Sequence, residues 1–267
     1  MRVWLTWGLA LAAVVGGLAW AGPDARGMLL RQLATEYYFR SGWRALNRGD
    51  LQRAEALFQR AQQQTTQPGE MAARIGLAYA DRGPEEQAPR WPRQAARWLA
   101  RAIEIQADQP AIVYWELGLV RWDMAELEAA TTSLEQAVAL DPNNPLMLNA
   151  LGYLLAERGV DLDRAVALLE RSRELAQNAP REVRWMIEDS LGWAHYQRGE
   201  YPQALPLLEG AHNGLNRRKV TEPEIAYHLG VTYLVLARRS EGTAVLRRAA
   251  NAGSRPARAV LKRLGAK

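Results

Sequence analysis

Glycine recurs along the chain at a nearly regular interval, and this periodicity restricts the fold more than any other feature. The repeating glycines are Gly42, Gly76, Gly118, Gly152, Gly192 and Gly230. Their spacings are 34, 42, 34, 40 and 38 residues. Self-similarity at such a period is the signature of units that stack on one another. The chain has no Gly-rich phosphate loop and no alternating strand pattern, so we expect an array of similar units.

Residues at fixed distances after each glycine indicate pairs of packed helices. A small residue is followed four positions later by a large apolar one, and then by a second small residue, as in Ala165, Leu169 and Ser172. Small residues let two helices approach to about 8–10 Å, and large residues fill the grooves beside them. The expected fold class is all-α. The large residues of the six units are Phe58, Leu99, Leu134, Leu169, Leu208 and Leu246.

These positions together resemble the tetratricopeptide repeat, a helix–turn–helix unit of 34 residues. Segments such as DSLGWAHYQRGEYPQALPLLEGA carry the resemblance, and several resemble phrases of bacterial envelope tetratricopeptide proteins. The resemblance implies a right-handed α-solenoid over 35–256, with a connector at 23–34 before it and a basic cap helix at 257–267 after it. The predicted units are 35–68, 69–109, 111–144, 145–179, 185–218 and 223–256, the second with a long loop around 82–87.

The resemblance also implies a concave groove lined by the first helix of each unit. The lining positions are rich in aromatic residues, although the whole chain is only 8% aromatic. Exposed Trp and Tyr are frequent interface anchors because they bury large areas with few rotatable bonds. We therefore expect the groove to bind another protein or a peptide segment. Its predicted residues are Phe39, Trp43, Trp115, Trp122, Asn149, Tyr153, Asp189, Trp193, Tyr196 and Tyr227.

Packing between adjacent repeats is the alternative role for each of these aromatic residues. One kind of groove is disfavoured, because tetratricopeptide domains that clamp a carboxylate use Lys, Arg and Asn on this face. Asn149 alone matches that pattern here. The groove is expected to take an apolar or mixed peptide.

Basic residues are concentrated in the last part of the chain. Residues 217–267 contain twelve Lys or Arg and three acids, hence +9, whereas the chain as a whole carries +5. Such an end suits an anionic lipid surface or nucleic acid, and equally a solvated surface in an Arg-rich chain. No base-reading pattern accompanies it, so nucleic acid is the less favoured partner. The predicted patch is Arg238, Arg239, Arg247, Arg248, Arg258, Lys262 and Arg263.

An uncharged run at residues 3–21 indicates membrane insertion or export. As a helix it rises about 28 Å, close to the hydrocarbon thickness of a bilayer. Ala19, Trp20 and Ala21 also form a small-x-small cleavage signal. We expect 1–22 to be either a transmembrane anchor or a signal peptide cleaved after Ala21. With an anchor, the body is expected outside the cytoplasm, in the periplasm; if the leader is cleaved after Ala21, a secreted soluble form is expected.

Composition and motifs argue against catalysis and against bound cofactors. The chain has no Cys and only three His, which excludes thiol nucleophiles and Cys-based metal sites. No Ser/His/Asp ordering or metal-binding spacing is present. We expect no enzymatic activity, no metal and no cofactor.

These features predict a membrane-anchored adaptor that binds a protein through its aromatic groove in a bacterial envelope assembly. Two alternatives remain open. One is a structural subunit integrated permanently in a membrane complex. The other is a helical-repeat binder of anionic lipid or nucleic acid that acts through the basic end.

Overall fold

The computed structural model describes residues 22–81, 91–218 and 220–265, and these residues form helices joined by short turns, without a strand. The predicted all-α fold class is confirmed. The helices are α1 Pro23–Asn47, α2 Leu51–Gln64, α3 Pro68–Ala80, α4 Trp91–Glu104, α5 Pro110–Asp123, α6 Leu127–Leu140, α7 Pro145–Arg158, α8 Leu162–Leu175, α9 Arg181–Gln197, α10 Tyr201–Arg217, α11 Pro223–Val235, α12 Arg239–Asn251 and α13 Arg255–Arg263.

Two predicted segments lie outside the described residues: the hydrophobic run at 3–21 and the long loop around 82–87. Within the described ranges, no helix combines the length and apolar character that crossing a membrane requires. Residues 23–34, which the sequence suggested as a connector, are helical and form the first half of α1.

Proline and short polar side chains set where many helices begin. Proline is the first residue of α1, α3, α5, α7 and α11, where its fixed φ suits a helix and its missing N–H costs nothing. Asn144 caps α7 by accepting a hydrogen bond from the Leu146 backbone N–H at 3.1 Å. Asp50 and Ser254 cap α2 and α13 in the same way. These local signals specify where the helices begin.

The helices fall into two compact units, within Met1–Glu126 and Leu127–Lys267. Unit 1 contains α1 to α5 and unit 2 contains α6 to α13. The boundary lies between the two helices of the third predicted repeat, and each unit is described by itself. Helices pack in consecutive pairs inside the units, α1 with α2 and α3 with α4 in unit 1, and likewise from α7 to α12 in unit 2.

Glycine permits the close approach of the two helices in each pair. A Cβ placed on Gly152 would lie 2.7 Å from Leu169 Cγ, and one on Gly76 would lie 2.7 Å from Leu99 Cγ. Such distances are shorter than van der Waals contact, so a larger residue would force the helices apart. The predicted register of small against large residues is therefore confirmed within the units. The other pairs of this kind are Gly42 with Phe58, Gly192 with Leu208 and Gly230 with Leu246.

Polar contacts tie neighbouring pairs together. In unit 1 the Glu55 carboxylate of α2 accepts hydrogen bonds from Tyr79 Oη at 3.0 Å and from Trp98 Nε1 at 3.3 Å, and it pairs with Arg97. In unit 2 the Glu209 carboxylate of α10 accepts a hydrogen bond from Tyr233 Oη of α11 at 2.7 Å. These contacts fix the first helices, which carry the groove positions.

Candidate functional site

The first helices of unit 1 line a cleft of about 780 Å³. Helix α1 supplies one wall, α3 the floor and α5 the opposite wall, so the cleft lies on the face predicted to be the groove. Its apolar lining is Phe39, Trp43, Leu77, Ala78, Ala80, Leu119 and Val120. Its charged lining is Glu36, Arg40, Arg74, Asp81, Glu116 and Asp123.

Two predicted groove aromatics, Phe39 and Trp43, line this cleft on the α1 wall. Trp43 is 43% exposed, which is high for a tryptophan. Phe39 is half-buried and packs against the buried Phe58 ring, with centroids 5.7 Å apart. The Arg74 guanidinium covers Phe39 at 4.1 Å from the ring centroid, a cation–π contact. The wall thus presents one exposed ring and one ring capped by a cation.

The two arginines of the cleft are held by a single carboxylate. Glu36 pairs with Arg40 at 2.6 Å and with Arg74 at 3.0 Å. Burial by itself would raise the pKa of the Glu36 carboxyl, but the hydrogen bonds and charges of the two arginines outweigh it and lower that pKa. Both cations are therefore engaged on the α1 and α3 side.

The α5 side of the cleft is acidic. Asp81, Glu116 and Asp123 form no side-chain hydrogen bond or ion pair with the described residues. Burial, and then the charge of Asp81, raises the pKa of the Glu116 carboxyl. Burial also raises the pKa of Asp123. The cleft therefore joins an apolar floor to carboxylates that the described part of unit 1 leaves without a cationic partner.

The other two predicted groove residues of unit 1, Trp115 and Trp122, lie on α5 outside this lining and are half-buried. The indole N–H of Trp115 is buried and finds no hydrogen-bond acceptor among the described residues. Of the four residues predicted in unit 1, the structure brings together Phe39 and Trp43 in the cleft.

In unit 2 the predicted groove residues form a packed network around Trp193. This tryptophan is only 6% exposed. Its ring stacks on His228 with centroids 4.1 Å apart and on Tyr196 at 4.8 Å. Its Nε1–H donates to the Glu157 carboxylate at 2.8 Å. Trp193 is thus packed by its own chain and offers little surface to a partner.

His228 and Asp189 form a buried pair within this network. His228 Nδ1 lies 3.0 Å from one Asp189 oxygen and 3.1 Å from the other. Burial by itself would lower the pKa of His228, but the charge of Asp189 and its hydrogen bond outweigh burial and raise it. The predicted groove residue Asp189 is therefore buried as the counter-charge of a histidine.

The remaining predicted residues of unit 2 lie around the same network. Tyr153 is half-buried and donates its hydroxyl hydrogen to Glu224 at 2.5 Å. Tyr227 is half-buried, with its ring centroid 6.1 Å from that of Trp193. Asn149 is buried, and its side-chain oxygen has no hydrogen-bond partner among the described residues. Tyr153, Tyr196 and Tyr227 retain the exposed aromatic surface of unit 2.

A second row of charged or polar residues runs beside the predicted aromatic row. It occupies the positions two before and five after the repeating glycine, one step away from the positions that the sequence singled out. Positions three and four residues apart lie on the same face of a helix, and these two positions lie three and four residues from the position directly after the glycine. This row was therefore recognisable from the register. Its members are Arg40, Arg74, Asp81, Glu116, Asp123, Glu157 and His228.

The predicted basic patch lies at the end of unit 2. Arg238 is engaged internally: it pairs with Glu241 and Glu209 and covers the Tyr233 ring at 4.2 Å. The others are exposed on α12 and α13, two helices that pack together. The exposed members are Arg239, Arg247, Arg248, Arg258, Lys262 and Arg263. The described residues contain no group of His, Asp or Glu arranged to hold a metal ion.

Comparison with known proteins identifies the repeat. Residues 116–180 match the family model described as tetratricopeptide repeat. A TPR repeat-containing protein of Pseudomonas aeruginosa is 33% identical over 110 residues, which are 41% of this chain and 16% of that protein. The chain thus spans a small part of this curated relative's length. The matched family is a repeat family and not a catalytic one.

Solved structures show the same fold. PilF of Pseudomonas aeruginosa aligns with a TM-score of 0.59 at 16% identity, over 87% of this chain and 99% of that one. PilW, a type IV pilus biogenesis factor, aligns with a TM-score of 0.56 at 14% identity, over 69% of this chain and 77% of that one. Residues 116–180 of this chain match the tetratricopeptide repeat, as the sequence resemblance predicted, and the chain shares its helical fold with these solved structures.

Proposed function

We propose that this protein is a non-enzymatic scaffold that binds another protein through the groove face of its first helices. The observation that carries the proposal is the cleft of unit 1, where the exposed Trp43 and the half-buried Phe39 meet Leu77 and Leu119. Large exposed aromatic side chains beside a concave apolar floor are typical of protein-binding sites and not of a solvated surface.

The proposed setting is an assembly of the bacterial envelope. The fold likeness to PilW, whose name describes a type IV pilus biogenesis factor, supports this setting. Anchoring through residues 3–21 and a periplasmic body remain proposals that rest on the sequence. The adaptor function itself depends on the cleft and not on the anchor.

The test is a pull-down from gently solubilised native membranes with the wild type and with the double variant Phe39→Ala, Trp43→Ala. We expect the double variant to lose a partner while it keeps its helical circular dichroism spectrum, because Trp43 is exposed and Phe39 is only half-buried. The matched control is Tyr37→Ala. Tyr37 is a 66% exposed aromatic on the same helix that lies outside the cleft.

Other results assign the interface elsewhere. If the double variant captures the same partners as the wild type, the cleft is not the interface. The basic end is then next, with Arg247→Gln and Arg248→Gln as the first substitutions. If the wild type is unstable when purified alone and is stabilised by one partner, the protein is a permanent structural subunit.

A further inference from the structure

We infer that the cleft of unit 1 takes a cationic amphipathic segment of a partner protein. The apolar side chains of the segment would lie on Trp43 and Leu119, and Lys or Arg side chains would lie along the α5 wall beside Glu116 and Asp123. This inference rests on the proposed function and adds the chemistry of the ligand.

The apolar part of the cleft indicates that the ligand has apolar side chains. Phe39 and Trp43 on α1 face Leu119 and Val120 on α5 across the small residues Ala78 and Ala80 of α3. A volume of about 780 Å³ accommodates several side chains, so apolar side chains of a ligand can be removed from water there. An entirely polar or charged segment would not use this surface.

The distribution of charge in the cleft indicates that the ligand is also cationic. Glu36 engages both arginines of the cleft, so neither is available to Asp81, Glu116 or Asp123. The lining residues carry four carboxylates and two guanidinium groups, which leaves the cleft acidic. Charge complementarity favours a cationic ligand, and an acidic segment would be repelled from the α5 wall.

Partial burial makes Glu116 receptive to a cation. Glu116 is half-buried on the α5 wall, and burial, followed by the charge of Asp81, raises the pKa of its carboxyl. An ammonium or guanidinium group beside it would stabilise its charged form. Lys and Arg also carry an apolar stem, which suits the adjacent leucine and valine.

The experiment uses three synthetic helical peptides labelled with fluorescein. They share one stripe of leucines and differ only in carrying Arg, Gln or Glu at the flanking positions. Binding to the full chain is measured by fluorescence anisotropy at low and high salt. The variants are the cleft pair Glu116→Gln, Asp123→Asn and, as the matched control, Glu104→Gln, Asp108→Asn. The control pair removes the same charge from exposed sites of unit 1 outside the cleft.

We expect the Arg peptide to bind the wild type at least about tenfold more tightly than the Gln peptide, and the Glu peptide to bind weakest. The cleft pair should remove this preference, whereas the control pair should retain it. High salt should weaken binding of the Arg peptide most. The α1 wall variant Phe39→Ala, Trp43→Ala should weaken binding of the Arg and Gln peptides alike.

A stability measurement separates a ligand site from a structural role. Glu116→Gln should raise the melting temperature of the free protein, because it removes a partly buried carboxylate that has no cationic partner among the described residues. A gain in stability together with a loss of Arg-peptide affinity supports the inference. A fall in both would make Glu116 a structural residue and would overturn it.

Failure of the inference is distinguishable from failure of the proposed function. Equal binding of the Arg and Gln peptides, both weakened in the α1 wall variant, overturns the cationic ligand and leaves an apolar protein-binding cleft. Peptide binding that is unchanged in the α1 wall variant overturns both the inference and the proposed function. If none of the three peptides binds, but a native partner is captured by the wild type and not by the Phe39→Ala, Trp43→Ala variant, the inference is overturned and the proposed function stands.

Discussion

At the scale of single residues, unit 2 uses its groove aromatics to hold a buried ion pair. Trp193 covers one side of His228, and Asp189 accepts its hydrogen bond. Tyr153 approaches the imidazole with centroids 6.1 Å apart, and the charges of Glu224 and Glu157 add to that of Asp189. The aromatic ring that the sequence suggested as a ligand anchor therefore stabilises the fold.

This arrangement predicts how stability depends on pH. The pKa of His228 is higher in the folded protein than its ordinary value of 6.5. The folded state thus binds the proton more tightly, and the resulting stability is full below pH 6.5 and is lost as the pH rises through the raised pKa. Urea unfolding across this range should show the decline. Asp189→Asn should abolish it because the opposing charge is gone.

His212 provides an internal control, because its contribution to the pH dependence of stability has the opposite sign to that of His228. Burial, with a contribution from Arg248, lowers the pKa of His212. Its contribution to stability is therefore present above pH 6.5 and is lost as the pH falls through the lowered pKa. His212→Asn should change the profile only below pH 6.5. Asp189→Asn should remove the decline above pH 6.5 and, because burial alone lowers the pKa of His228, should add a loss of stability below it. A decline above pH 6.5 that persists in Asp189→Asn would contradict the assignment to His228.

At the scale of secondary-structure elements, the distance between paired helices is set by the residue that faces the repeating glycine. In most pairs this residue is a fully buried alanine, such as Ala165 or Ala204. In the pair of α11 and α12 it is Gly242. A Cβ on Gly242 would lie 2.9 Å from the Gly230 carbonyl oxygen and 2.9 Å from Leu234 Cδ2. These two helices approach too closely for alanine.

Because of this contact, replacing Gly242 with alanine, the usual residue at this position of the repeat, should lower the stability of the protein. Gly242→Ala gains helix propensity of about 1 kcal/mol but overpacks the pair, at a typical cost of about 1–3 kcal/mol. We expect a net loss of stability in urea unfolding. Gly210→Ala is the matched control, because its Cβ would meet only Glu188 Oε2, at 3.6 Å. It should stabilise by about 0.5–1 kcal/mol. Equal stabilisation by both substitutions would contradict the close approach of α11 and α12.

At the scale of the molecule, the interfaces between neighbouring helix pairs contribute to the free energy of unfolding. In unit 2 each first helix packs on its own second helix and on the first helix of the following pair, from α7 to α11. Helix α13 then packs on α12 and buries Ala257 and Leu261. An array of this kind is stabilised by nearest-neighbour interfaces, and its end requires a helix that covers the last apolar surface.

This organisation predicts how short a part of the chain still folds. The fragment 145–267 holds three complete helix pairs and α13, and about three repeats are needed for a stable array. We expect it to melt cooperatively in circular dichroism. The fragment 181–267, with two pairs, should show weak helicity and no cooperative transition. Cooperative folding of the shorter fragment would show that stability resides in single pairs and not in their interfaces.

The sequence predicted the elements well because their signals are local. Pro145 and Asn144 start a helix through the geometry of its first turn. The small Gly152 and the large Leu169 indicate which faces of the two helices pack closely together. The predicted connector at 23–34 lacks the repeat pattern, and it is helical because α1 continues through it.

By itself, the sequence determined the repeat, its register and the identity of the face that the first helices present. Only the tertiary structure decided which side chains on that face remain available. Trp193 is covered and Trp43 is exposed, although both stand one residue after a repeating glycine. The reason is physical: equivalent positions in a repeat share a direction, but exposure depends on which neighbour fills the adjoining space. His228 and Tyr196 fill it beside Trp193, whereas an open cleft lies beside Trp43.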